Sequence, residues 1–501
     1  MGSPEAPIVS TKFVFCSPDL PAKLRDMGFV FEHPPTATVF KTSRSRLQRR
    51  SLDPVVYGRS RVIFWLFVVA LTLSFPTATR GQGAGKEIRI RILQNDGPKV
   101  IKIHSSVYIS VFIDDSQSEI RRIQPGNEAV VSVKNGDLNV RLPDISFNAS
   151  YVVFSPIDRE IFSVSIAKGS RTAPPRRYAG RLRVTVDPRS SSLRLVNTVG
   201  LDDYVASVVG SEYGFDDLEG SKAMAVIIRS YALKTLGRHG AGFDQVDHNG
   251  SQVYNGLDVV EPVAVEAVEQ TRDEVLTYHG DLVEAVYFAA SGGHTAANED
   301  VWMGPPKPYL RGKKDPYDTS PYASWTLSLP RKKVLRTLSE GAGFKVSGFR
   351  IDQRSPDGRV RTVKLLRDKN PDTPVPANDF RLWIMNGFGP KSLKSTLFEA
   401  RLKGRNYVFD GHGFGHGVGL SQWGAHEMAR RGRTYRDILR FYYTDVQIDR
   451  DEQFATLLPD RNHPGVRPAL HPLDNPTAAT ADRPLPAEKP SRPRRRKRLG
   501  W

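Results

Sequence analysis

Residues 193–215 read LRLVNTVGLDDYVASVVGSEYGF, and the hydrophobic period changes partway through. Up to Val199 the pattern is that of a strand. From Leu201 onward Tyr204, Val205, Val208 and Val209 fall at i, i+1, i+4 and i+5, one face of a helix. The switch predicts a strand-rich part before residue 200 and a mixed helical part after it. Glu212 ends this helix, just ahead of Gly214. A second helix is predicted from Leu218 to about Leu236, capped by Asp216 or Asp217 and stopped by Gly237. An acid at such a junction either projects into a cleft between the helices or ends a helix in solvent; these residues alone leave both open. Lys222 and Arg229, seven residues apart, lie within about 20° of one another on a helix surface. Met224, Ile227, Ile228 and Tyr231 face elsewhere. A cationic stripe of this kind holds a ligand or is merely solvated.

Upstream, from Lys86, EIRIRIL, VIKIHSSVYISVFID, AVVSVKNGDLNVRL and YVVFSPI alternate with period two, and NGD at Asn135–Asp137 is a hairpin turn. YAGRLRVTVDPRSSSLRLVNTV adds two strands across a polar turn. Downstream, EPVAVEAVEQT starts a third helix with Pro262 in its first turn. EVLTYHGDLVEAVYFAASGG reads as a hairpin turning at His279–Asp281. Residues 320–400 mix strand-like WTLSLP and VRTVKLL with helical RKKVLRTLSE. TYRDILRFYYTDVQI gives a capped short helix (Thr434, Asp437) and a final strand. The fold class is therefore α+β: a β-rich part over 86–200, packed on a mixed α/β part over 201–450, with disordered ends.

The 501 residues carry a net charge of +18 and 39% hydrophobic residues, enough for a core. Residues 1–61 hold ten Lys/Arg against five Asp/Glu, and 482–501 hold eight against two. Both ends are thus basic: a poorly structured lead and, over 451–501, a disordered tail. The tail RPRRRKRLGW reads as a solvated segment or a contact for an anionic envelope polymer, with no nucleic acid expected. The one cysteine, Cys16, permits no intrachain disulfide and no thiolate metal site in the body. Arg59 and Arg61 precede an apolar run from Val62 to Phe75, and small residues follow around Ala78–Gly83. Fourteen residues fall short of the roughly 20 of a membrane span. The run sits 60 residues in and Arg80 interrupts the cleavage register, so residues 62–83 are read either as a signal peptide whose true start lies closer to Arg59 or as an uncleaved anchor with a cytoplasmic lead, touching the membrane through 62–78. Either way the chain is expected to be exported to the cell envelope.

Two further stretches carry candidate chemistry. VYFAASGGHTAANEDVW runs a strand into Ser291, Gly292 and Gly293, where missing side chains let a backbone or a ligand come close, unless this is an ordinary loop. GHGFGHGVGLSQWGAHEMARRG holds His412 and His416 four apart, on a glycine-rich loop rather than a helix and with no fixed third ligand. No metal is therefore expected. The loop reads instead as a cleft wall, with the imidazoles, Ser421, Gln422 and Trp423 offering hydrogen bonds and a stacking face to a sugar or peptide.

Together and in this order, GLDDYVASVVGSEY, SKAMAVIIRSYAL, SQVYNG, AASGGHTAANEDVW and GHGFGHGVGLSQWGAHEMARRGRTYRDILRFYYTDV resemble the stage II sporulation protein D family. That family shares a domain with the amidase enhancer of bacterial autolysins. The resemblance covers about 180–450 and extends to the β region from 86. It implies an exported lytic transglycosylase acting on peptidoglycan glycan strands, with Glu212 as catalytic acid and Lys222 and Arg229 as its accompanying cations. The junction after Glu212 is one residue shorter here than the usual pattern. Some members hold zinc through Cys and His ahead of QVY; here the stretch is FDQVDHNGSQVYNG, with His248 and no cysteine, so neither metal nor cofactor is carried over. A lone acid suits this reaction, because the 6-hydroxyl of N-acetylmuramic acid replaces water and one carboxyl can give and then take a proton. Hydrolysis usually needs two. A raised pKa is required, which burial supplies and nearby cations would oppose, so Lys222 and Arg229 are expected to bind substrate oxygens or to orient the site. The alternatives are a non-catalytic glycan-binding module that stimulates a separate cell-wall amidase, and a His-loop metallohydrolase.

Overall fold

Strands form where the alternation predicts them, and the buried register is the aliphatic one. In Glu87–Ile92 and Val100–Ser105 every second residue is buried, so Ile88, Ile90, Ile101 and Ile103 point inward while the charged residues between them stay at the surface. The computed structural model describes residues 86–113, 118–157, 161–168, 171–240 and 242–450. The lead 1–61, the signal or anchor 62–83 and the tail 451–501 lie outside the described residues.

Two seven-stranded sheets are built from residues 87–200 together with the short edge Gln245–Val246. One has the order Gln245–Val246, Glu87–Ile92, Leu193–Gly200, Arg181–Val186, Tyr151–Pro156, Ile109–Ile113, Arg121–Ile123. The other runs Arg171–Thr172, Phe162–Lys168, Val100–Ser105, Glu128–Lys134, Asp137–Arg141, Ser146–Ala149, with Arg176–Tyr178 also on Phe162–Lys168. The Asn135–Gly136 turn has φ of 54° and 91°, the left-handed pair that a tight hairpin needs.

At Leu201 the helices begin: α1 Leu201–Glu212, α2 Leu218–Lys234, α3 Pro262–Gln270, α4 Asn298–Trp302, α5 Arg331–Ala342, α6 Ala377–Phe388, α7 Gln422–Arg430 and α8 Tyr435–Tyr442. Asp217 caps α2 by accepting from the Gly220 amide at 2.8 Å, and Thr434 with Asp437 forms a capping box on α8. Every residue of α2 from Ala223 to Leu233 is buried, so this helix has no solvated stripe. Its apolar side chains, those of α1 and α8 and the inner faces of the strands form one continuous core. Residue 200 thus separates two textures, not two cores: Gln245–Val246, well past it, adds a parallel edge to the first sheet. A second core holds Val334, Leu338, Val363, Phe380, Ile384 and Phe409. It builds a lobe from the sheets of Trp325–Pro330, Asn406–Gly411 and Phe398–Lys403 and of Gly348–Arg354, Val360–Leu366 and Thr373–Pro376, with α5 and α6.

The expected hairpin after Glu274 is short. Glu274–Tyr278 turns back at His279–Gly280 onto the two residues Asp281–Leu282 and takes Gln447–Arg450 as antiparallel partner on its other edge. The chain then leaves, and Tyr287–Phe288 pairs in parallel with Leu420–Ser421. This small parallel pair, closed over 130 residues of chain, brings the two glycine-rich motifs together.

Candidate active site

Glu212 is the last residue of α1 and is only 3% exposed. Its Oε1 accepts the Val253 amide at 3.0 Å. Its Oε2 is buried with no well-aligned donor. Burial pushes the carboxyl pKa up to about 8; the Val253 amide and the nearby Tyr287 hydroxyl pull the other way, and no cation contributes. The group is therefore an acid at neutral pH, with Oε2 the oxygen available to carry the proton. The walls are polar but fully buried. Tyr204 donates to Gln252 Oε1 at 3.0 Å, and Gln252 Nε2 donates to the Tyr287 oxygen at 3.3 Å, which leaves the Tyr287 proton for Glu212. From α7, Gln422 Nε2 donates to the Glu212 carbonyl at 3.0 Å, and Gln422 Oε1 is a buried acceptor without a hydrogen bond.

Ser421 caps α7, accepting the Gly424 amide at 3.3 Å, which fixes Gln422 at the helix start. His416 is buried, and burial drives its pKa down to about 3. Its Nε2 lies 2.9 Å from the Tyr287 carbonyl and must donate, so Nδ1 accepts the Val418 amide at 3.1 Å. Both nitrogens are occupied; His416 is a neutral strut behind Tyr287 and neither a metal ligand nor a substrate contact. His412 is exposed, with Nδ1 donating to the Ala323 carbonyl. Gly292 (φ 71°) and Gly413 (φ 72°) lie back to back: a Cβ on Gly292 would meet the His412–Gly413 backbone at 2.8–2.9 Å, and one on Gly413 the Ala290 carbonyl at 2.7 Å. Ser291 is buried and donates to Asp318, which also accepts the Gly292 amide, while Gly293 donates to Ser291 Oγ at 3.1 Å. These turn residues hold the loops together, and Arg359 of the lobe clamps them by donating to the Ser291 and His294 carbonyls at 2.7 and 3.0 Å.

Lys222 and Arg229 do not meet Glu212. Lys222 pairs with Glu219 at 2.7 Å. Arg229 is buried and donates to the Thr271 and Glu274 carbonyls, each at 3.0 Å, and faces Asp202 at 3.5 Å. For Arg229 the expected substrate contact gives way to a structural role, since it ties α2 to the end of α3 and to α1. Gln252, Val253 and Tyr287, which surround the carboxyl, stand in the SQVYNG and VYFAASGG stretches, but local pattern gave none of the three a role because their contact with Glu212 is made across the fold. Trp423, expected as a stacking face, belongs to an aromatic group at the junction whose other members local pattern did not mark: Phe215 stacks on His426 at 4.2 Å and meets Trp423 edge-on at 5.0 Å, and Asp217 holds His426 Nδ1 at 2.7 Å. Among the described residues no group of three or more His, Cys, Asp or Glu is placed to hold a metal ion.

A family model described as stage II sporulation protein matches residues 189–278, which span α1, α2 and α3. An uncharacterized protein of Brachyspira hyodysenteriae is 33% identical over 268 residues, 52% of this chain and 70% of that one. The stage II sporulation protein D of Bacillus amyloliquefaciens is 30% identical over 297 residues, 54% of this chain and 81% of its own. The amidase enhancer of Bacillus subtilis is 29% identical over 280 residues, but the match spans only 38% of that protein. Motif order, a buried acid at the α1–α2 junction and these matches converge: the chain belongs to the stage II sporulation protein D family.

Proposed function

We propose that the protein cleaves peptidoglycan glycan strands by lytic transglycosylation, after export to the envelope. The observation that carries this reading is the solitary buried carboxyl of Glu212, whose pKa of about 8 is set by burial with no second carboxylate among its causes. Protonated Oε2 gives its proton to the glycosidic oxygen as the bond from that oxygen to C1 of N-acetylmuramic acid breaks. The 6-hydroxyl oxygen of the same sugar then bonds to C1, and its proton returns to Glu212. No water is consumed, the product is a 1,6-anhydro sugar, and the enzyme ends as it began. Mass spectrometry of digested strands tests this. Wild type releases anhydro-ended fragments, and Glu212→Gln, which cannot shuttle the proton, loses about 100- to 10,000-fold in rate. Absence of anhydro ends with wild-type protein overturns the reading.

A second reading has one specific support, the similarity to an amidase enhancer. In it the same cleft holds glycan without cutting and stimulates a separate cell-wall amidase. Stimulation that survives Glu212→Gln, without anhydro product, would establish it.

A further inference from the structure

The lobe is where the body of the chain is basic. Between Trp325 and Gly411 eighteen Lys/Arg stand against eight Asp/Glu, whereas residues 62–324 and 412–481 together hold 36 against 39. Much of the lobe's positive charge is already engaged. Arg359 and Arg381 are buried, and Lys345, Arg350, Arg354, Lys364 and Arg401 pair with carboxylates. Six of the others gather on one face. Arg331, Lys332, Lys333 and Arg336 are exposed on α5, and Lys403 and Arg405 are exposed in the turn after Phe398–Lys403. The two elements touch: the Arg331 amide donates to the Arg405 carbonyl at 2.9 Å, and Asn406 pairs with both Pro330 and Lys403. None of the six makes an ion pair among the described residues; Lys333 rests on the Phe388 ring, a contact that leaves its charge uncompensated. Nor does stability explain them, since α5 has no acidic residue in its first turn and no side-chain cap, and cations there oppose the helix dipole.

The lobe that carries this face is bonded to the loops of the site, and the face itself lies at the other end of Trp325–Pro330 and Asn406–Gly411, about 17 Å along the strands, a span that a polymer can bridge. Trp325 Nε1 donates to the Gly413 carbonyl at 2.9 Å, the Gly415 amide to the Lys394 carbonyl at 2.9 Å, and Arg359 to the Ser291 turn. We propose that the Arg331–Arg336 and Lys403–Arg405 face of the lobe docks the carboxylates of a peptidoglycan glycan strand whose sugars are engaged at the cleft. The choice of polymer rests on the function proposed above. Each N-acetylmuramic acid carries an anion, either its bare lactyl carboxylate or the carboxylates of a stem peptide, so the strand is a linear polyanion that six uncompensated cations attract. A lipid surface is less well matched, because beside the patch only Leu402 is an exposed large apolar side chain.

Binding of the full chain to three probes decides the matter: strands bearing stem peptides, strands stripped of them, and an uncharged chitin oligosaccharide. At about 50 mM salt, the charged strands should bind about tenfold tighter than chitin, and at about 300 mM the difference should close. The stripped strand separates the lactyl source from the stem-peptide source. The charge reversal Lys332→Glu/Arg336→Glu/Arg405→Glu, all at exposed positions, should remove the preference while thermal melting stays that of wild type; Glu212→Gln should keep it. A second triple variant with Gln in place of Glu guards against misfolding of the reversal. Equal binding of chitin and charged strands, binding unchanged in both triple variants, or preference for anionic phospholipid vesicles over strands overturns the docking face. If charged strands bind with this salt dependence but wild type yields no anhydro ends, the face stands and the cleavage reading falls. If anhydro product forms with the same KM in wild type and both triple variants, cleavage stands and the face falls.

Discussion

At the scale of single residues, Glu212 is held in its acid form by dehydration. A general acid must be protonated, so turnover should fall as pH rises through about 8. Tyr287→Phe removes a donor that favours the anion, so it should move that limb to higher pH; a pH–rate profile in which the limb stays put would show that Tyr287 only packs. The same carboxyl makes stability depend on pH. Its folded pKa of about 8 lies above the ordinary 4.5, so its contribution is fully present below about 4.5 and is lost as pH rises through 8. Gln does not titrate. Glu212→Gln should therefore be more stable than wild type by up to ~3 kcal/mol at pH 7, with the gap closing below the ordinary carboxyl range. Denaturant melts at the two pH values check this without any activity assay. An inactive variant that is also stabilised is the behaviour expected of a strained functional acid.

Among the elements, α2 differs most from its sequence reading. Lys222 and Arg229 lie on one stripe, as the helical period requires, but the helix is buried all round and the two cations part company. Lys222 reaches the rim and Glu219, whereas Arg229 stays inside on two backbone carbonyls. Arg229→Ala should cost about 3 kcal/mol in thermal or chemical melts, because it removes a buried charged donor shared by the Thr271 and Glu274 carbonyls and leaves its space empty, although the Glu274 amide still bonds the Thr271 carbonyl. If it instead raises KM and leaves stability intact, the structural role assigned here is wrong. The strand Tyr287–Phe288 is the other case. Its alternation suggested a simple hairpin; its partner, Leu420–Ser421, could not be named from local pattern, since a parallel pair leaves no local turn signal.

For the whole molecule, one core runs through both large sheets and the helices after residue 200. A fragment of residues 86–200 alone would lack the Gln245–Val246 edge and would expose Ile88, Val199 and Leu201's neighbours to water. It should be unfolded or bind a hydrophobic dye, which circular dichroism and fluorescence can test; a cooperatively melting fragment would show two separable domains. The lobe is different, with its own core and a basic face, so its contribution to binding should vary with salt while the core around Glu212 does not.

The sequence by itself determined the α+β class, the change of period at Leu201, the cap at Thr434, a cap at Asp216 or Asp217 and the position of Glu212 at a helix end. These are local: they follow from the spacing of apolar residues and from side chains that bond to their own neighbours. Tertiary structure alone decided what that glutamate is. Its amide donor comes from Val253 and its carbonyl's partner from Gln422, 41 and 210 residues away in the chain. Dehydration of a carboxyl depends on which distant segments close over it, and no spacing along the chain encodes that.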